Sequence, residues 1–254
     1  MRNTLAVLLP LLLSNLLACQ TRSAEPHLRF RAGALRHSAS IFDLYFVADD
    51  RPAAQDVARE LAAHLDRLRK DFRCEYAHRV AVEIYSDQAA YDANLMDPSV
   101  KGSPACSGRR TIQMVSPRSP IRDSGISYAG RLSMAVHELA HLFVNEINRD
   151  APVWLSEGVA SFEGDADGYR RICKMPAVAE LLKTPPSIAE LEASYHKVRA
   201  PDVFSFTLVD YVASNLGMAA LNDLLRNPAD FERALGGSRR EIEARWHEFV
   251  KRRY

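Results

Sequence analysis

The chain has no excess of charge of either sign: its 254 residues carry 33 Lys and Arg against 32 Asp and Glu. Without Arg2, the one charge in the first nineteen residues, the count is 32 against 32. Such a protein has no field that would gather nucleic acid, whose binding depends on cationic neutralisation of phosphates. The pairs Arg109-Arg110 and Arg170-Arg171 and the run Lys251-Arg252-Arg253 therefore read as solvated faces. Cysteine is scarce at four residues, and none has the paired spacing of a cysteine zinc site. Internal repeats, low-complexity tracts and an apolar run long enough to span a bilayer comfortably are all missing. What remains is ordinary, with 47% hydrophobic and 26% charged residues, enough for a substantial core.

The first nineteen residues have a separate purpose. Arg2 is followed by an apolar stretch, Leu5 to Leu17, interrupted by Pro10 and Ser14-Asn15, which is built like an export signal. It ends in Leu16-Leu17-Ala18-Cys19, which resembles a bacterial lipobox, where the cysteine takes a lipid and becomes the new N-terminus. Residues 1–19 are thus expected to be a lipoprotein signal peptide, with Cys19 anchoring the mature protein to a membrane. Gln20 after the cysteine suits the periplasmic side of the outer membrane in a Gram-negative cell. Simple secretion is the alternative, though Arg22 before Ser23-Ala24 makes a poor cleavage site. Among the other cysteines, export permits one disulfide. Cys74–Cys106 is the preferred pair, and three thiols, with Cys173 the third, are the equal alternative.

A polar linker, 20–40, is expected to precede a single domain, 41–254. Ile41 to Val47 reads as a strand. Asp49-Asp50 offers a cap, Pro52 suits a first helical turn, and Val57, Leu61, Leu65, Leu68 and Phe72 follow at helical spacing. Val80 to Tyr85 alternates as a strand, Ser86-Asp87 starts a short helix, and 97–110 reads as a loop. Thr111 to Val115 is a further strand. From about Ile126 everything reads helical, with segments at 176–183, 187–194, 202–216 and 218–226, then from Pro228 and from Ser238. Glu241 completes a capping box with Ser238. The fold class is α+β: a small mixed sheet with helices, about 41–148, then a mainly helical half, about 149–254.

Within the first long helix stands His137-Glu138-Leu139-Ala140-His141. Residues four apart share one helix face, so two imidazoles one turn apart can reach one tetrahedral ion. Glu138, rotated by one residue's step, lies beside that ion and can take a proton from water. The neighbours Met134, Ala135, Val136, Leu139, Ala140, Leu142 and Phe143 are uncharged, as a buried helix requires. Glu157 follows sixteen residues after His141, on a helix opening at Pro152 after a tight loop. Closely joined helices pack antiparallel, which returns Glu157 towards the histidines. Trp154, Leu155, Val159 and Phe162 would form its packing face, and Gly158 permits close helix approach. Two His and one Glu form an open ligand set for catalytic Zn2+. Asp165 and Asp167 could suggest a calcium loop, but no later acidic ligand follows, so a solvated turn is the reading.

These residues, with Trp154-Leu155-Ser156-Glu157-Gly158-Val159-Ala160, resemble the gluzincins of the HExxH metallopeptidase clan, and among them the compact bacterial peptidase MA-like proteins. The likeness covers about 40–250, though only the ligand motifs are highly specific. It implies a zincin-like fold with the His-Glu helix at the junction of its halves. It also implies a zinc-dependent peptidase, of the endopeptidase kind, acting on peptide or protein substrates, with Glu138 as general base for metal-activated water. An edge strand at Thr111, Ile112, Gln113, Met114 and Val115 would hold extended substrate. Related enzymes supply a downstream Tyr or His to the oxyanion; here Phe206 stands at the aligned position, and Tyr195, His196 and Tyr211 are the nearby substitutes. The Gly-x-Met-Glu-Asn element of related aminopeptidases is absent. The alternative reading is a zinc-binding lipoprotein of weak or no activity that serves as a binding or assembly module.

Overall fold

The computed structural model describes residues 34–108, 110–119 and 126–254. The signal peptide, Cys19 and residues 20–33 of the expected linker lie outside them. The described residues pack as two units, 34–70 with 74–143 and 71–73 with 144–254, whose division falls inside a continuous helix. The fold is α+β.

The first unit holds a five-stranded mixed sheet of order β1-β2-β3-β5-β4: β1 Leu35–Ala39, β2 Phe42–Phe46, β3 Val80–Tyr85, β4 Ala105–Gly108 and β5 Thr111–Val115. Strands β2, β3 and β5 run parallel, and β1 and β4 flank them antiparallel. Parallel neighbours need a crossover, which between β2 and β3 is helix α1, Arg51–Phe72. Its buried stripe, Ala54, Val57, Leu61, Leu65, Leu68 and Phe72, repeats every three or four residues. Across the three parallel strands one face of the sheet is apolar, because Leu44, Val82 and Ile112 lie in register, as do Ile84 and Met114. On the other face the register aligns Glu83, Gln113 and Cys106. Beside them Tyr85, Val115 and Cys106 join Tyr91 of α2, Gln88–Asp92, in a small apolar cluster.

Four expectations are corrected here: the extent of the linker, the 97–110 loop, the edge strand and the Asp49-Asp50 cap. The last part of the expected linker is β1, a polar strand held at Asp43, whose carboxylate accepts Ser38 Oγ at 2.6 Å and Arg36 Nη2 at 3.0 Å. The 97–110 loop contains β4, so Thr111–Val115 is an inner strand and not an edge. Gln113 in particular is buried: its Nε2 donates to Glu83 at 2.7 Å and its Oε1 accepts Met96 N at 3.1 Å. Of the two cysteine alternatives the structure holds the second, since no disulfide joins Cys74, Cys106 and Cys173. Asp49-Asp50 is also no simple cap. A 3-10 turn, Ala48–Asp50, runs straight into α1, and Asp50 instead accepts Ser116 Oγ at 2.6 Å.

Like the end of α1, helix α3, Tyr128–Ile147, crosses the division. The second unit continues with α4 Val153–Cys173, α5 Pro176–Leu181, α6 Ile188–Ser194, α7 Pro201–Tyr211, α8 Met218–Arg226, α9 Phe231–Leu235 and α10 Arg239–Arg253. Every residue of α7 is buried, so this helix is the centre of the unit. It meets α4 at Gly158, where an added Cβ would lie 2.5 Å from the Ser205 carbonyl oxygen. Capping boxes at Ser187–Glu190 and Ser238–Glu241 start α6 and α10. Among the described residues no helix is long and apolar enough to cross a membrane.

Candidate metal centre

Helix α3 is buried from Ala135 to Val144, and its histidines are enclosed with it: His137 is 6% exposed and His141 1%. The four-residue spacing brings the two rings together at 79° between planes, with Nε2 atoms 3.1 Å apart. Two imidazoles that aim the same nitrogen at one point are arranged as ligands are. Glu157, on the second turn of α4, is 1% exposed. One ligand atom from each of His137, His141 and Glu157 lies within 4.8 Å of the others. The three residues named from sequence therefore form one buried group able to hold a metal ion, the only such group among the described residues.

The donor set fits a divalent ion of the zinc type: two neutral nitrogens and one carboxylate, with three protein ligands rather than a closed four. Glu138 strengthens the fit. It is 2% exposed, and its Oε1 has no hydrogen-bond partner among the described residues. A buried carboxylate oxygen is costly unless a donor or an ion meets it, and this one stands one residue from His137.

Helix α4 is not uniform. Asp165 breaks helical geometry at φ −155° and ψ 68°, and its Oδ1 accepts Gly168 N at 2.8 Å, capping the second half of the helix. An added Cβ at Gly168 would meet the Asp165 carboxylate and displace that cap. Asp167 pairs with Arg170 at 3.0 Å. Both acids of the candidate calcium loop are thus engaged in local structure.

The proposed oxyanion donors separate. Tyr195 is buried and donates to Asp202 Oδ1 at 2.6 Å. Burial pushes its hydroxyl well above the usual tyrosine range, and the charges of Asp202 and Glu157 push the same way. His196 is exposed, edge-on to the Tyr195 ring. Tyr211 packs edge-on against Phe249, 5.6 Å between centroids. Phe206 stacks on Tyr169 at 4.9 Å, and burial, with Asp202 and Glu157, holds the Tyr169 hydroxyl above its usual range. Sequence reasoning missed Tyr169 because it lies beyond the Asp165 break, where helical spacing from Glu157 no longer applies. It also missed Tyr91, fully buried, whose hydroxyl lies 3.0 Å from Ser103 Oγ. Burial raises that hydroxyl most, Cys106 adds to it, and the Glu138 charge contributes. Only the fold brings residue 91 near 138, so no local pattern carried the signal.

No family model matches the chain, and no curated protein matches it.

Proposed function

We propose that the chain is a zinc-dependent peptidase of the gluzincin type, with a zincin-like fold and an endopeptidase's preference for internal bonds. The observation that carries this reading is the buried His137–His141–Glu157 group with the Glu138 carboxylate next to it in sequence and enclosed with it. A purely structural site would be closed by a fourth ligand and would have no need of that base.

His137, His141 and Glu157 would hold the ion. When bound, zinc supplies Lewis acidity to the scissile carbonyl and lowers the pKa of water. Glu138 takes the proton of the attacking water and delivers it to the leaving amine. Burial of all four groups keeps bulk water from screening their charges. Thr111–Val115, being an inner strand, has no free backbone edge to offer an extended substrate. Export as a lipoprotein through Cys19 belongs to the same proposal, and replacing Cys19 with Ser should move the protein from membrane to soluble fractions.

A second reading is favoured by one observation: the Tyr195 hydroxyl is already given to Asp202, and Phe206 has no hydroxyl to offer. Removing an oxyanion donor costs on the order of a hundredfold in rate. In this reading the chain binds zinc but serves as a binding or assembly module. Cleavage of a mixed peptide library by wild type, Glu138→Gln and His141→Ala separates the two. The peptidase reading predicts cleavage by wild type and a loss of at least about a hundredfold in Glu138→Gln with zinc retained. Zinc in the wild type with no cleavage of any peptide selects the binding module.

A further inference from the structure

Residues 144–254 contain a cleft of about 470 Å³ that none of the three metal ligands lines. Its volume falls in the range of small-ligand sites, about 300–1,000 Å³. Pro185, Pro186, Val198 and Phe204 give it apolar walls, and Phe204 is anchored in α7 at 2% exposure. The two prolines stiffen the segment between α5 and α6. Directly after Arg199 of the lining, Ala200, in the left-handed conformation at φ 52°, turns the chain into α7. A non-glycine residue held there marks a backbone fixed by its surroundings.

The charges at this cleft are unequal in availability. Lys197 and Arg199 line it, are exposed, and have no ion-pair partner among the described residues. Glu190, the one carboxylate of the lining, is committed: its Oε2 accepts Ser187 N at 2.7 Å and Ser187 Oγ at 2.8 Å in the capping box of α6. The uncommitted charge beside an apolar, proline-walled floor is therefore positive.

We propose that this cleft binds an extended acidic peptide, with an apolar side chain against Phe204 and Val198 and carboxylates on Lys197 and Arg199. A guanidinium takes a carboxylate in bidentate fashion and an ammonium takes one as a point charge, so the pair suits two successive acidic groups. An anionic bilayer is the poorer match, because its flat surface cannot enter a concave site that also presents a carboxylate. The inference goes beyond the peptidase reading and does not require it.

The test is fluorescence anisotropy with a labelled peptide of alternating glutamate and leucine, and its glutamine-for-glutamate counterpart. The full chain carrying Glu138→Gln is used so that the peptide stays intact. Adding Lys197→Glu with Arg199→Glu should weaken the acidic peptide at least tenfold, and the glutamine peptide should bind at least tenfold more weakly to the unreversed protein. Both side chains are exposed, so unchanged circular dichroism and zinc content verify the fold. Equal affinity for the two peptides, or charge-reversed protein that binds within twofold, overturns the proposal. If His141→Ala abolishes binding while charge reversal does not, the peptide sits at the metal centre; the cleft proposal then fails and the peptidase reading survives. Sedimentation with phosphatidylglycerol vesicles that depends on the two cations, without peptide binding, also overturns it.

Discussion

The side chains of the candidate metal centre are set apart by being enclosed. His137, Glu138, His141 and Glu157 are each 6% exposed or less, and a cluster of that polarity is retained in a core only where its groups serve one another or a ligand. Asp43 is the structural counterpart. Arg79 donates to it through Nε at 2.8 Å and Nη2 at 2.6 Å, and with Ser38 and Arg36 it holds the carboxyl well below the usual carboxylate range, against the opposing effect of burial. A carboxyl whose folded pKa is depressed stabilises the protein fully above its unfolded pKa, near 4, and loses that contribution as pH falls towards the folded value. Asp43→Asn should therefore cost roughly 2 kcal/mol at pH 7. The difference from wild type should narrow as pH falls below about 4, as measured by urea denaturation across pH. A difference constant from pH 7 to pH 3 would refute this account of Asp43.

At the scale of elements, the contact of α4 with α7 decides where Glu157 stands. Gly158 follows the ligand directly, and its missing side chain leaves room for the Ser205 carbonyl and for Val209 Cγ2, which a Cβ would approach to 2.7 Å. Carbonyl oxygen cannot rotate away as a side chain can, so accommodation requires the helices to separate. Gly158→Ala is predicted to destabilise the protein by about 1–3 kcal/mol despite the better helix propensity of alanine. It should also weaken zinc affinity, because the displaced backbone is that of the ligand's neighbour. Thermal denaturation and zinc titration check both parts, and an alanine variant as stable as wild type would contradict the close-approach account.

For the whole molecule, what was legible in the sequence follows from where its signals are local. The ligand pair needs only a helix and a spacing of four. Glu157 needs only a second helix soon after the first. Strands β3 and β5 and the capping box at Ser238 are announced by alternation and by residues three apart. What escaped depends on partners far along the chain. Strand β1 is polar, and its strand character comes from pairing with β2 and from Asp43. Strand β4 is four residues that follow Ser103-Pro104 and end in Gly108, and it reads as loop until β5 is placed next to it. The approach of Tyr91 to Glu138 depends on the sheet as a whole.

The central claim is that His137, His141 and Glu157 form one metal site, and zinc titration with simultaneous calorimetric melting tests it most directly. Saturating zinc stabilises a folded site by about 4 kcal/mol at a thousand times its Kd. Wild type and Glu138→Gln should each bind one zinc and lose several degrees of Tm on chelation, regained when zinc is restored. His141→Ala and Glu157→Ala should bind it at least tenfold more weakly and show little response to chelator. Wild type that binds no zinc, or a His141→Ala variant that binds it as tightly as wild type, would contradict the claim.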